Sequence, residues 1–348
     1  MWSLVALLLL LGTAAVLLYG LMIRMPGASF AADPPAPDAA ERELAGRLEA
    51  HVTMLATNIG ERSVFEAHAY ARAADWIEQQ FRELGYDATR QTYQVDHPPL
   101  GLDGAPSHNI IAQRRGRTRA EEVFVIGAHY DSVRGSPGAN DNASGVAAML
   151  ELARHFADRQ PARTLRFVAF ANEESPFFGT EYMGSLLYAR RSRGAAEDIR
   201  GMLSLETIGY YSEVDGSQRY PAPLSAFYPA CGNFIGFVAN TRSRALLHRI
   251  IAGFRDAATI PSEGGALPEM LPGVGWSDHW AFWRAGYPAL MVTDTAPFRY
   301  PHYHLSSDTA EQLDYTRMAH IVTGLQAVIG RLADQLPADP GGATDPQG

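Results

Sequence analysis

Two short apolar segments separated by a helical pattern constrain the fold of this chain more than any other feature. The segments are EVFVIGAHY at residues 122–130 and RTLRFVAFANEE at residues 163–174, and ASGVAAMLELARHFAD at residues 143–158 lies between them. Nearly continuous apolar strands of this length are typical of strands buried on both faces of a parallel sheet. A strand, a helix and a strand at this spacing predict a crossover unit. The chain is therefore predicted to form an α/β fold on a largely parallel sheet.

Patterns upstream of this unit agree with the same fold class. Residues 69–86 carry apolar side chains at helical spacing and end near Gly85, which predicts a helix. Residues 90–95 and 108–115 have the pattern of strands. No internal repeat interrupts these elements, so they are predicted to belong to one large domain.

The N-terminus contains an uncharged apolar run over residues 4–23. At about 1.5 Å per residue, a helix of this length covers the roughly 30 Å of a bilayer's hydrocarbon core. A cleaved signal usually has a shorter apolar core behind a basic start, whereas only MWS precedes this run. An uncleaved single-pass anchor is therefore predicted, with ASFAAD at residues 28–33 as the alternative cleavage site. Arg24 follows the run and no Lys or Arg precedes it. By the positive-inside rule, this distribution argues against export of the part of the chain that follows the run.

Charge and cysteine content exclude several classes of protein. The 348 residues carry a formal net charge of −9 at pH 7 without a dense Lys/Arg block, which argues against a nucleic-acid partner. The single cysteine, Cys231, excludes an intrachain disulfide and a Cys-rich zinc site. The predicted organisation is a membrane anchor at 1–24, a Pro/Ala-rich linker at 25–44, a catalytic domain at 45–334 and a disordered tail at 335–348.

Acidic residues and histidines recur at the ends of the predicted strands. Ligand sites in open α/β sheets gather beyond the carboxyl ends of the strands. Two adjacent carboxylates there raise each other's pKa unless a cation compensates them. Neutral imidazole together with carboxylate is typical zinc ligation. The segments concerned carry His129 with Asp131, Asp141, Glu173 with Glu174, Glu206, and His304.

The order of these segments resembles a known family. H-x-D, D-N-A-S-G, E-E, an acid shortly before I-G, S-D-H and H-x-x-x-D-T follow one another over most of residues 45–330. This order is similar to that of the co-catalytic zinc aminopeptidases of metallopeptidase clan MH, family 28, to which glutamate carboxypeptidases and glutaminyl cyclases are related. The resemblance implies a three-layer α/β/α fold with a mixed, largely parallel central sheet. No H-E-x-x-H is present, which excludes the thermolysin-type zinc site.

The resemblance also implies a set of metal ligands. Asp141 would bridge two divalent metal ions, zinc by default, and would be followed by a strained peptide bond. Glu174 and His304 would complete one metal site, and His129 and Glu206 the other. Glu206 stands where many members of the family have Asp, and its side chain is longer by one methylene group.

Further roles follow from the same resemblance. Glu173 would remain off the metals and act as the general base, and Asp131 would hold the second ring nitrogen of His129. Tyr303 resembles a tyrosine that stabilises the oxyanion in some carboxypeptidase relatives, although a packing role is an equal alternative. Asp308 is expected to cap or orient the loop that carries His304.

The function implied is that of a zinc aminopeptidase acting on peptides, with no nucleic-acid partner. The first alternative is cyclisation of N-terminal Gln by one zinc held at Asp141, Glu174 and His304. The others are a carboxypeptidase or dipeptidase of the same family, and a catalytically inactive scaffold. Family habit places the catalytic domain on the periplasmic or extracellular side of a membrane, with the N-terminal helix as its anchor.

Overall fold

The computed structural model describes residues 10, 12, 13 and 16–334, and this part of the chain forms a mixed eight-stranded sheet. The strand order is β1-β2-β4-β3-β5-β8-β6-β7. The four adjacent strands β4, β3, β5 and β8 are parallel to one another. β6 is antiparallel to β8 and parallel to β7. The strands are β1 (Thr89–His97), β2 (Leu102–Arg114), β3 (Arg119–His129), β4 (Arg163–Phe170), β5 (Asp198–Glu206), β6 (Ile235–Asn240), β7 (Ser262–Leu267) and β8 (Ala289–Thr293).

Helices cover both faces of the sheet and produce three layers. The helices are α1 (Ala39–Val52), α2 (Ala67–Glu83), α3 (Gly145–Phe156), α4 (Gly184–Gly194), α5 (Arg244–Ala257), α6 (His279–Arg284), α7 (Ala296–Arg299) and α8 (Tyr315–Asp334). Apolar residues of α1, α2, α3, α5 and α8 pack in one core cluster, and those of α4 and α6 pack in a second. Alternate residues of β3 enter the two clusters, because successive side chains of a strand point to opposite faces. The predicted three-layer α/β fold with a mixed sheet is confirmed.

The predicted crossover unit is present with small changes at its ends. The helix predicted at residues 143–158 is α3, and the helix predicted at 69–86 is α2. β4 ends at Phe170, so Glu173 and Glu174 follow the strand rather than belonging to it. Asn172, just after the end of β4, has a positive φ of 56°, which turns the chain before the two acids.

The predicted membrane span at residues 4–23 lies partly outside the described residues, because residues 4–9, 11, 14 and 15 do not belong to them. In the described ranges, no helix is both long and apolar enough to cross a membrane. α1 begins at Ala39, inside the range predicted as a linker. The Asp38 carboxylate accepts a hydrogen bond from the Glu41 amide and the Glu41 side chain accepts one from the Asp38 amide, which together cap this helix.

Residues 19–29, called the N-terminal strap below, lie against the edge of the sheet formed by β7. Arg244 donates to the carbonyl of Leu21, and the amide of Ser262 donates to the Ser29 hydroxyl. Met25 packs where a Cβ on Gly264 would stand. The strap is therefore joined to the rest of the fold by both polar and apolar contacts.

Removal of the strap is expected to destabilise the domain. A chain that starts at residue 38 should lose about 2 kcal/mol of unfolding free energy relative to one that starts at residue 16, from the lost hydrogen bonds and apolar contact. This loss corresponds to a decrease in Tm of roughly 4 °C, measurable by scanning calorimetry. Arg244→Ala in the longer chain should reproduce part of the decrease, and equal Tm values for the two chains would contradict the prediction.

Candidate metal centre

The candidate ligands meet because three adjacent strands end at the same edge of the sheet. β4, β3 and β5 lie side by side and run parallel. His129 is the last residue of β3 and Glu206 is the last residue of β5. Glu173 and Glu174 follow the end of β4. The carboxyl ends of parallel strands therefore bring side chains together that are far apart in sequence.

A tight turn places Asp141 between these strand ends and α3. The backbone of Asp141 is not helical, with φ −112° and ψ 90°. The Asp141–Asn142 peptide bond is cis. The Asn142 side chain accepts hydrogen bonds from the amides of Gly145 and Thr207. It also donates to the carbonyl of Leu205 in β5. The turn is thus fixed both to α3 and to β5.

Gly145 is required by close approach rather than by an unusual backbone conformation. Its φ of −65° is ordinary for a helix. A Cβ at this residue would lie 2.3 Å from the carbonyl oxygen of Leu205. The absence of a side chain therefore allows the start of α3 to lie directly against β5, which keeps Asp141 close to Glu206.

The two carboxylate oxygens of Asp141 face two different imidazoles. Asp141 Oδ1 lies 3.2 Å from His129 Nε2, and Asp141 Oδ2 lies 3.0 Å from His304 Nε2. His129 Nε2 is also 3.2 Å from Glu206 Oε2, and His304 Nε2 is 3.3 Å from Glu174 Oε2. Asp141 therefore belongs to two groups of ligand atoms, each compact enough to hold a metal ion, with the atoms of a group within 4.8 Å of one another.

Two buried polar atoms of the cluster lack a partner in the described part of the chain, and a bound cation would be one. His129 Nε2 and Glu174 Oε1 are buried and have no hydrogen-bond partner among the described residues. Buried polar atoms in native proteins are normally satisfied. Burial raises the pKa of Glu174 and of Glu206, each to about 7, because a desolvated carboxylate is costly and the Asp141 charge adds repulsion. Imidazole nitrogen and carboxylate oxygen are zinc donors, so the residues present fit a divalent ion.

Asp131 holds the two acids that follow β4. Its carboxylate accepts hydrogen bonds from the amides of Glu173 at 3.1 Å and Glu174 at 3.0 Å. The Nδ1 atom of His129 lies 3.1 Å from the backbone carbonyl of Asp131 and 3.5 Å from its carboxylate. Asp131 therefore fixes the Glu173–Glu174 pair more closely than it fixes the imidazole, and the backbone carbonyl makes the shorter contact with the ring.

Glu173 and Tyr303 lie beside the ligand groups without belonging to them. Glu173 Oε2 is 3.8 Å from His129 Nε2. Burial raises the pKa of Glu173 well above its ordinary value, and the charges of Glu206 and Glu174 raise it further. The Tyr303 ring stacks on the His304 imidazole with 3.8 Å between ring centroids, and its side chain lines the adjoining cleft.

Two further polar residues also fix the ligands: Ser277, for which the sequence predicted no role, and Asp308, which was expected to cap or orient the loop that carries His304. Ser277 Oγ donates to Glu206 Oε2 at 2.7 Å. The Asp308 carboxylate accepts from the amides of Asn140 at 2.8 Å and Asp141 at 3.1 Å, so it anchors the Asp141 turn. The S-D-H segment includes Ser277, and the H-x-x-x-D-T segment includes Asp308, but their partners are set by tertiary contacts.

Arg62 is a fully buried cation beneath the site that the sequence did not single out. Its guanidinium donates to the carbonyls of Tyr130, Pro137 and Gly138, which belong to the loop after β3. Burial lowers the pKa of Arg62 to about 10, while several carboxylates, among them Asp308, raise it in part. Arg62 therefore holds the loop that leads to the Asp141 turn in place, and it adds positive charge beneath an acidic cluster.

A mixed α/β sheet with imidazole and carboxylate groups gathered at its strand ends is the arrangement of a metal-binding protein with zinc-type ligands. The family model of peptidase family M28 matches residues 109–329, and the chain belongs to this family. The resemblance seen in the order of the motifs is confirmed, and the family implies zinc as the cofactor and peptides as substrates.

Relatives of this chain are found in bacteria and fungi. The uncharacterized protein YfbL of Escherichia coli K12 is 36% identical over 288 residues, which cover 80% of this chain and 85% of that protein. A probable zinc metalloprotease of Pyricularia oryzae is 30% identical over 307 residues, covering 76% of this chain. The chain spans only 59% of the length of that fungal protein.

Solved structures show the same fold at low sequence identity. The zinc aminopeptidase BSAP of Bacillus subtilis has a TM-score of 0.64 and 16% identity, and the match covers 85% of this chain and 96% of that one. The glutaminyl cyclase of Fimbriiglobus ruber has a TM-score of 0.62 and 20% identity, covering 86% and 98%. Since both activities occur on this fold, the fold alone does not separate them.

Proposed function

We propose that this protein is an aminopeptidase that hydrolyses the N-terminal residue of peptides with the help of two divalent ions. The observation that carries the proposal is the sharing of Asp141 between two ligand groups, with Glu173 outside both. Two-metal hydrolases use an arrangement of this kind, with neighbouring ions about 3.5–4 Å apart. When bound, such ions would polarise the scissile carbonyl and lower the pKa of the attacking water.

Glu173 is proposed to transfer the proton in this reaction. Its carboxylate takes one proton from the attacking water as the water oxygen bonds to the carbonyl carbon. It then delivers this proton to the leaving nitrogen as the C–N bond breaks, which yields a carboxylic acid and an amine. A raised pKa suits both steps, because a general base that must also donate works best with a pKa near the working pH. Asp131 positions Glu173 through the backbone amide.

The charge of the adjoining cleft favours an aminopeptidase over a carboxypeptidase. Glu206 and Glu263 line this cleft, and no Lys or Arg lines it among the described residues. A substrate's free α-amino group is a cation that an acidic cleft attracts, whereas a terminal carboxylate is usually bound by Arg or Lys. Tyr303, which lines the cleft, is proposed to donate a hydrogen bond from its hydroxyl to the developing oxyanion.

Cyclisation of N-terminal Gln is the second candidate. The group formed by Asp141, Glu174 and His304 is complete without the other two ligands. The similarity in fold to a glutaminyl cyclase is close to that to a zinc aminopeptidase, with TM-scores of 0.62 and 0.64. The hydrogen bond from Ser277 to Glu206 supports the two-metal proposal, because it fixes a ligand that the cyclase reaction would not need.

We also propose that residues 1–24 anchor the protein in a membrane, with the catalytic domain on the periplasmic or extracellular side. Support comes from the apolar run at residues 4–23. Carbonate extraction of membranes tests whether the protein is anchored. Protease accessibility in intact cells tests on which side of the membrane the catalytic domain lies. Release of the protein by carbonate would contradict the anchor.

Metal content and hydrolysis, measured together on the full chain, test the aminopeptidase proposal. We expect close to two zinc ions per chain by plasma mass spectrometry. Release of N-terminal residues from aminoacyl coumarin amides should stop with a chelator and return with added zinc. One metal with cyclisation of N-terminal Gln would instead identify a cyclase. No bound metal, and no activity after zinc is added, would identify a scaffold.

A further inference from the structure

The cleft beside the metal centre is largely apolar, but it has one acidic residue at each end. Its empty volume, which includes space open to solvent, is about 790 Å³, and Tyr303 and the metal-ligand candidate Glu206 belong to its lining. Most of the remaining lining is aromatic or aliphatic. Glu263 in β7 also lines the cleft, although it belongs to neither ligand group.

Strand register places Glu206 and Glu263 in one row across the sheet. Glu206 in β5 pairs with Thr293 in β8, Thr293 pairs with Gly236 in β6, and Gly236 pairs with Glu263 in β7. Directly paired residues point to the same face of a sheet. Three inter-strand spacings of about 4.8 Å separate the ends of this row by about 14 Å. Glu263 therefore lies on the same face of the sheet as the metal centre, at its far edge.

The floor between the two acids is low and largely apolar, with Thr293 as the polar side chain of the row. Gly236 and Gly265 contribute no side chain to it, and the next row contributes Val238 and Met291. A Cβ on Gly265 would lie 2.7 Å from the Tyr228 hydroxyl, so the glycine leaves the room that this hydroxyl occupies beside the floor. The apolar part of a long substrate side chain could therefore lie along this floor from the metal centre towards Glu263.

Glu263 carries a charge that its surroundings do not balance. Its only ion pair in the described part of the chain is with Arg255 Nη2 at 4.0 Å, and no hydrogen-bond donor of that part reaches its carboxylate. Arg255 donates instead to the carbonyls of Ser262, Pro26 and Gly27. Partial burial raises the pKa of the Glu263 carboxyl, and the Arg255 charge does not fully offset this effect. A cation in the cleft would therefore gain a charge-assisted hydrogen bond there.

We propose that Glu263 selects peptides whose N-terminal residue is Lys or Arg, by binding the charged end of that side chain. This inference rests on the proposed aminopeptidase function. A short apolar side chain would end on the floor before reaching Glu263. The four-carbon stem of Lys or the guanidinium of Arg extends further over the same apolar surface and presents its charge at the end.

The ratio of kcat/KM for Lys over norleucine aminoacyl coumarin amides, measured on the zinc-loaded full chain, tests the selection. Norleucine has the same stem without the ammonium group. We expect wild type to prefer Lys by about tenfold, as for one charge-assisted contact in a partly exposed site. Glu263→Gln should bring this ratio close to one. Glu269→Gln, an exposed glutamate beyond the end of β7 and outside the cleft lining, should leave the ratio unchanged.

Binding of lysinamide and norleucinamide, followed by isothermal titration, supplies a readout that needs no turnover. Tighter binding of lysinamide that disappears in Glu263→Gln supports the assignment of Glu263. If that result came with no hydrolysis of any aminoacyl substrate, the aminopeptidase proposal would be wrong and the Glu263 assignment would stand. Equal binding of the two amides with hydrolysis intact would overturn the Glu263 assignment alone. Failure of both amides to bind, with no hydrolysis, would overturn both proposals.

Discussion

Glu173→Gln is expected to lower kcat by about 10³-fold while zinc content stays at the wild-type value. General acid–base catalysis contributes roughly 10²–10⁴-fold to such reactions, and the amide of Gln cannot accept the proton from water. Because Glu173 lies outside both ligand groups, its substitution removes no donor from the metals. Single-substrate kinetics and plasma mass spectrometry on the same preparation measure both quantities.

Glu181→Gln is the matched control for this variant. Glu181 is an exposed glutamate in the same segment between β4 and α4, and it makes no contact with the ligand groups. Its substitution should change neither kcat nor metal content. Wild-type turnover in Glu173→Gln would show that another group takes the proton. Loss of zinc from Glu173→Gln would show instead that Glu173 is a ligand.

Asp141→Ala is expected to remove zinc from both ligand groups and to abolish hydrolysis. The two oxygens of Asp141 face His129 and His304 separately, so a single substitution removes one donor from each group. Loss of an outer hydrogen-bond partner of a metal ligand already costs 10–100-fold in affinity, so loss of the shared ligand should cost more than about 100-fold. Zinc affinity measured by competition with a chromogenic chelator tests this expectation.

Glu174→Ala and Asp158→Asn serve as comparisons for Asp141→Ala. Glu174 belongs to one ligand group only, so its loss should leave one zinc ion per chain. Asp158 is exposed near the other end of α3, and its substitution should leave both ions bound. Retention of one tightly bound ion in Asp141→Ala would contradict a shared ligand, because two independent sites would then be present.

The elements around the site could be predicted because their signals are local. β3 and β4 are buried on both faces, so each appears in the sequence as a nearly continuous apolar run. The first polar residues after such a run mark the sheet edge where ligands gather. His129, Glu173 and Glu174 were found in this way, and the order of motifs along the chain was enough to indicate the family.

The partners of these residues could not be predicted from local patterns. Ser277 donates to Glu206 across 71 positions, and Asp308 accepts from the Asp141 amide across 167 positions. Arg62 lies in no motif, yet it is buried beneath the loop that leads to Asp141. A serine, an aspartate or an arginine at such separations carries no sequence signal for its partner, because the pairing depends on where the chain returns.

The sequence by itself determined the residue types of the site, the strand ends that carry most of them, and the family. Only the tertiary structure decided which oxygens of Asp141 face which imidazole, and that Glu263 shares a row with Glu206. That row crosses the strands in the order β5, β8, β6 and β7, which differs from their order along the chain. Strand order and register are set by packing of the whole sheet against its helices, and a one-residue shift in register would point Glu263 to the opposite face. Local residue patterns encode the strand but not its neighbours, which is why the cleft became visible only in the folded protein.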